Sequence, residues 1–121
     1  MPSTLEVSTQ DAIATVTMTG PTMPPLFFRE LRNVFRELND DADLRAVVLQ
    51  SSAKCFSYGL DLPAAFKEFG PMFTGGGASQ RTALNRLISD LQDCLSIIER
   101  CPVPVIAAVH GYCIGGAIDL I

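Results

Sequence analysis

The chain has 121 residues, 48% of them hydrophobic and 18% charged, with 9 Lys and Arg against 13 Asp and Glu. That size holds one domain or part of one, with enough hydrophobic residues for a core and too few charges for a disordered acidic tail. A formal net charge of −4 disfavours nucleic acid as a partner, because affinity for a phosphate backbone needs a basic face.

The longest strongly apolar stretch, Val103 to Val109, is interrupted by Pro104 and is far short of the roughly 20 residues of a membrane helix. The opening Met1-Pro2-Ser3-Thr4-Leu5-Glu6 has no basic region followed by an apolar one, so a soluble, cytoplasmic chain is expected. Cys55, Cys94, Cys101 and Cys113 make no C-x-x-C pair, and His110 is the lone histidine. Buried free thiols are therefore expected, with no metal site.

In chain order, Leu5 to Val7 and Ala12 to Met18 flank the polar Ser8-Thr9-Gln10-Asp11, which predicts a β-hairpin closed by Gly20-Pro21. Phe27, Phe28, Leu31, Val34, Phe35 and Leu38 recur at spacings of three and four, predicting an amphipathic helix over 26–39 entered through Pro24-Pro25. The run Leu44 to Leu49 reads as a strand covered on both faces, as in a parallel sheet. Together these make a βαβ unit.

Residues 50–79 contain Gly59, Gly70, Pro71 and Gly75-Gly76-Gly77 and read as a long irregular loop, with Pro71 to Ser79 its mobile half. Leu84, Leu87, Ile88, Leu91, Leu95 and Ile98 keep helical spacing, predicting a helix over 81–100, capped by Ser79 and stopped at Cys101-Pro102. Val103 to Val109 repeats the buried-strand pattern, and Gly111 to Gly116 leads into a further helix that meets the end of the chain at Ile121. A helix cut after so few turns, with an apolar stripe and no cap, reads as one completed by residues or chains beyond Ile121.

Two loops share one design. Cys55 to Leu62 and His110 to Asp119 each follow a predicted strand and bring glycine to the start of a turn or helix. Both open at carboxyl ends of strands, where parallel sheets place ligands. Glycine there lets backbone approach a ligand, and the first amides of a helix lack internal partners. Two such amides meeting at one carbonyl oxygen make an oxyanion hole, worth about 3 to 4 kcal/mol per donor in a transition state. The competing reading is that Gly59, Gly115 and Gly116 merely permit tight packing.

The residues themselves resemble a family. Phe56-Ser57-Tyr58-Gly59-Leu60-Asp61-Leu62 resembles the F-[SCA]-A-G-x-D-[LI] loop of the enoyl-CoA hydratase/isomerase (crotonase) superfamily. Pro104 to Gly111, with Gly115-Gly116, is similar to that superfamily's P-V-I-A-A-[VI]-x-G-x-x-x-G-G segment, and the strand Leu44 to Leu49 is also similar to its counterpart. The resemblance implies an α/β fold, a crotonase-like spiral of ββα turns, of which residues 1–121 are the N-terminal part of a single domain.

It also implies binding of an acyl-CoA thioester whose enolate is held by the amides of Tyr58 and Gly116, with Ser57, Tyr58, Gly59, Leu60, Asp61, Gly115 and Gly116 lining the site. Coenzyme A enters as part of the substrate, and no separate cofactor or metal is implied. Asp119, three residues after Gly116, is the implied proton-transfer group; its competing reading is a first-turn carboxylate favoured by the helix dipole.

Aspartate at 119 and the run Cys113-Ile114-Gly115-Gly116 resemble the dienoyl-CoA isomerase branch, with double-bond isomerisation preferred and hydration second. Homotrimers or hexamers are implied for a full-length chain. The alternative is a truncated, non-catalytic chain that binds acyl-CoA or an oligomer partner.

Three departures stand out: Tyr58 where a small residue is usual, Ala117 for a third glycine, and Gly20 to Leu26 without the family's N-A-[LM] signal. The remaining candidates have plainer readings: His110 as a satisfied loop residue, Asp61 as a carboxylate bonded to nearby backbone, and the three glycines as flexible linker.

Overall fold

The computed structural model describes residues 3–121. Its order is β1 (Leu5–Gln10), β2 (Ile13–Met18), α1 (Pro25–Asn39), β3 (Ala46–Ser51), α2 (Leu62–Thr74), α3 (Ala78–Ser96), β4 (Val105–Ala107) and α4 (Gly116–Leu120). The four strands form one sheet in chain order. β1 is antiparallel to β2, and β2, β3 and β4 run parallel.

The β1–β2 hairpin is tighter than its polar segment suggests. Gln10 pairs with Ile13, leaving only Asp11 and Ala12 in the turn, at φ 53° and 65°. Left-handed backbone at both positions is the pattern of a type I′ hairpin loop, one of the two-residue loops that match strand twist. Ala12 accepts that geometry while its carbonyl receives the Arg45 N–H at 2.8 Å, which ties the turn to the start of β3.

Helix α1 begins at Pro25, with proline where a missing N–H costs nothing. It buries Phe27, Phe28, Leu31, Phe35 and Leu38 on the sheet face made by Ala14, Val16, Met18, Val47 and Leu49. Strand β3 starts two residues later than Leu44, because an Asx turn (Asp43 N–H to Asp41 Oδ1, 3.0 Å) and the Leu44 N–H to Asp41 carbonyl bond hold the preceding chain. Along β3 burial alternates: Val47 and Leu49 are fully buried, Ala46 and Val48 only partly. The expected cover on both faces is thus replaced by one packed face.

The main departure from the sequence reading is α2, which occupies the middle of the expected loop. Asp61 caps it through the Ala64 N–H at 3.0 Å, and Pro63 sits in its first turn. Pro71 lies inside the helix, near its end, where few following turns depend on the lost donor. The next helix, α3, begins at Ala78 with Gly77 as its cap residue, so Ser79 lies within the first turn. α3 ends at Ser96 and passes into short turns up to Cys101.

β4 is short because Pro104 offers no donor, yet the Pro104 carbonyl accepts from Val47 and Ala108 N–H reaches Leu49. All four cysteines are free, with Cys55 and Cys94 buried. Burial pushes the Cys94 thiol above its ordinary value. Among the described residues no helix is long and apolar enough to cross a membrane.

Left-handed backbone strains an alanine, and glycine adopts it freely. Ala12→Gly should therefore raise unfolding stability by about 0.5–1 kcal/mol after the added freedom of the unfolded chain is allowed for. Urea unfolding of the two proteins side by side measures the difference.

Candidate active site

Beyond β3 the chain runs as a ribbon between two other segments. On one side Phe56 and Ser57 N–H donate to the carbonyls of His110 and Tyr112, and the Ser57 carbonyl accepts from Ile114 N–H. On the other side the Pro21 carbonyl receives Tyr58 N–H at 2.7 Å, Gly59's carbonyl receives Met23 N–H at 2.8 Å, and Met23's carbonyl receives Asp61 N–H at 3.0 Å. The segment Gly20 to Leu26, which lacks the family's sequence signal, thus holds this loop through its backbone.

The hydrogen-bond phase breaks at Gly59. In an extended chain, donors to one neighbour alternate along the strand, so Tyr58 would be followed by Leu60 in bonding toward residues 21–23. Asp61 bonds there instead. Gly59 has φ 91°, a left-handed conformation that suits glycine, and its own N–H is taken by Ser57 Oγ at 3.0 Å. The Ser57 side chain is buried and also donates to the Pro21 carbonyl at 3.3 Å. The amide of Leu60 is left with no acceptor among the described residues.

A second such amide comes from the start of α4. Gly115 at φ 60° turns the chain into the helix, after which Ala117 N–H bonds to the Ile114 carbonyl and Ile118 N–H to that of Gly115. Gly116, the first helical residue, has no acceptor for its N–H among the described residues, as helix geometry dictates. The two loops meet closely. A Cβ on Gly59 would stand 2.7 Å from the Ile114 carbonyl oxygen and 2.9 Å from Gly116 N, and one on Gly116 would lie 3.8 Å from Leu60 N.

The structure therefore gathers Ser57, Tyr58, Gly59, Leu60, Gly115 and Gly116. It spends the Tyr58 amide on Pro21, so the free donor beside Gly116 belongs to Leu60. The residue pattern named Leu60 only as a lining residue; the shift in phase at Gly59 was the missing signal, and it exists only once both neighbours are in place.

Asp61 is committed elsewhere: Oδ1 caps α2 and Oδ2 accepts the Thr22 hydroxyl at 3.1 Å. His110 Nε2 lies 2.9 Å from the Ala53 carbonyl, a loop contact. Asp119 is exposed in α4, three residues after Gly116 and so on the same helix face. Its side also borders a groove of about 790 Å³ between α3, β4 and α4, with Asp93 and Glu99 among its walls and none of the loop residues 57–60.

Tyr58 and Tyr112 project from the two loops, with ring centroids 5.9 Å apart and planes tilted by 36°. The electrostatic influence of Cys55 and a hydrogen bond shared with its sulfur push the Tyr58 hydroxyl above its ordinary value. Burial and Tyr112 add to that shift.

A mixed sheet with helices on one face and two glycine loops crossing at its carboxyl end defines an α/β chain of the ββα-spiral type. An enoyl-CoA hydratase/isomerase from Xanthobacter autotrophicus Py2 superposes with a TM-score of 0.82 at 25% identity, over 99% of this chain and 43% of that one. The family model described as enoyl-CoA hydratase/isomerase matches residues 8–121. This chain belongs to that family.

Among its relatives, the mitochondrial Delta(3,5)-Delta(2,4)-dienoyl-CoA isomerase of Mus musculus is 44% identical over 97 residues, 78% of this chain and 29% of the relative. The peroxisomal Delta(3,5)-Delta(2,4)-dienoyl-CoA isomerase of Arabidopsis thaliana is 35% identical, over 78% of this chain and 34% of the relative. The chain thus spans about a third of the length of these relatives. Their mitochondrial and peroxisomal names overturn the cytoplasmic expectation. The expectation rested on the lack of a secretory pattern in the opening residues, and that lack does not distinguish cytosol from mitochondrion or peroxisome.

Gly59→Ala places a methyl group within 3 Å of two backbone atoms and strains a left-handed residue. The variant should lose about 2 kcal/mol or more of stability through this overpacking and strain, whereas Gly116→Ala, whose added carbon meets only ordinary contacts beginning at 3.6 Å, should keep the fold. Thermal unfolding of both variants checks the contrast.

Proposed function

We propose that this chain binds an unsaturated fatty acyl-CoA and moves its double bonds through a thioester enolate. The observation that carries the reading is the pair of acceptor-free amides, Leu60 and Gly116, brought side by side by two separate loops. The thioester carbonyl oxygen sits on these two donors, with Leu60 in the role that the sequence pattern gave to Tyr58. Similarity to the dienoyl-CoA isomerases named above favours isomerisation over hydration.

In this reading Asp119 removes a proton from the carbon chain, and the electron pair passes through the conjugated system to the thioester oxygen. The charge that develops there strengthens both N–H bonds, each worth about 3 to 4 kcal/mol in the transition state. Return of the proton at another carbon completes the isomerisation with no net gain or loss of atoms. An exposed carboxylate one turn along the helix from Gly116 suits this transfer. The chemistry runs on proton movement alone, with coenzyme A as part of the substrate. Trimers, or pairs of trimers, belong to the same reading, supported by the exposed Ile106, Ile114 and Ile118 around β4 and α4.

Absorbance assays with a 3,5-dienoyl-CoA and a 2-enoyl-CoA separate the outcomes. Turnover of the dienoyl substrate is expected, and Asp119→Asn should lower kcat by about 10²-fold or more with KM little changed. Binding of both thioesters without any turnover would instead support the non-catalytic alternative, and an unaltered kcat in Asp119→Asn would remove that residue from the mechanism.

A further inference from the structure

Helices α1, α2 and α3 enclose a second, smaller pocket of about 180 Å³. Phe28, Phe69, Leu87 and Leu91 give it apolar walls, and Arg32 enters it from α1. None of residues 57–60 or 115–119 lines it, so it is separate from the crossing of the two glycine loops.

Arg32 is half-buried, and its Nε is buried without a hydrogen-bond partner. Among the described residues it forms no ion pair, whereas Arg29, one turn earlier on α1, is paired with Glu68 at 3.1 Å. Asp90 supplies the one carboxylate of the pocket wall, but it is exposed and leaves the Arg32 charge unmatched. The Cys94 thiol also lines the pocket. Burial raises that thiol and Arg32 partly offsets the rise, which places guanidinium and thiol within electrostatic reach.

A cation drawn out of water needs an acceptor. Water is a poor filler here, because it needs two to four polar partners and four of the walls are hydrocarbon. The complement is a ligand with an anionic head and a short apolar tail. The volume is below the roughly 300 Å³ of the smallest drug-sized sites, which limits the tail to a few carbons.

We propose that this pocket binds a short-chain monocarboxylate, with its carboxylate on Arg32 and its tail among Phe28, Phe69, Leu87 and Leu91. A planar guanidinium offers paired N–H donors to such a head. The ligand touches three helices, and so holds α2, whose one buried residue is Ala65, against α1 and α3.

Calorimetric titration with sodium hexanoate is the test, with acetate as the head alone and 1-hexanol as the tail alone. Hexanoate should bind one site per chain, at least tenfold more tightly than either control. Arg32→Met keeps the length of the side chain and loses its charge, and should weaken hexanoate by about tenfold or more. Asp90→Asn removes a repelling charge and should tighten it by about twofold. In the native protein, hexanoate at ten times its dissociation constant should slow alkylation of Cys94 by roughly tenfold and leave that of the half-buried Cys101 unchanged.

Equal affinity for hexanoate and hexanol, or no binding of hexanoate, would overturn the proposal. So would an unchanged affinity in Arg32→Met or an unprotected Cys94, either of which would place the ligand elsewhere. Displacement of hexanoate by crotonyl-CoA would move it to the proposed thioester site and overturn the separate pocket while supporting the acyl-CoA reading. The other outcomes leave that reading untouched.

Discussion

The approach of two backbones at Gly59 is the constraint on which the site depends. With 2.7 and 2.9 Å between a hypothetical Cβ and the atoms of Ile114 and Gly116, no side chain fits between the loops. The left-handed turn that glycine makes there also breaks the hydrogen-bond phase. One residue thus sets both the distance between the loops and the direction of the Leu60 amide. Ser57 supports it from within, its hydroxyl satisfying the Gly59 N–H and anchoring on Pro21.

That arrangement explains the large hydrogen-bonded framework around a small opening. Residues 21–23 hold one side of the ribbon and residues 110–114 the other, in each case through backbone atoms. Asp61 and Thr22 add one side-chain bond across the first seam. In the first loop the amides of Ser57, Tyr58, Gly59 and Asp61 all have acceptors, which sets the open Leu60 amide apart from its neighbours in that loop.

Much of the architecture was legible from periodicity. α1 and the alternating halves of β2 and β3 follow from apolar spacing that matches their burial, as Leu31, Phe35 and Val47 illustrate, while α3 forms where its apolar spacing put it although Cys94 is its one buried residue. α2 was hidden because Gly70 and Pro71 read as breakers, although Asp61, Pro63 and the stripe Leu62, Phe66, Phe69 and Phe73 are together a helix-start signal and a helical face. In the site, the glycines and Asp61 were visible as a pattern, but the identity of the free amide was not. Which N–H remains open depends on partners more than 30 residues away in sequence, at Pro21 and Met23, and no local motif records that.

The agreement between strand order and chain order bears on how the molecule is made. Each strand pairs with the one synthesised just before it, so the sheet can grow by addition as the chain emerges, with the hairpin as its first and most local contact. The widest separation is between β3 and β4, bridged by α2 and α3. Docking of β4 is therefore the step with the largest loop to close, and it is also the step that brings Gly116 to Gly59. Assembly of the two-loop crossing is expected late in folding, after the hairpin and α1 have formed the core against which it closes.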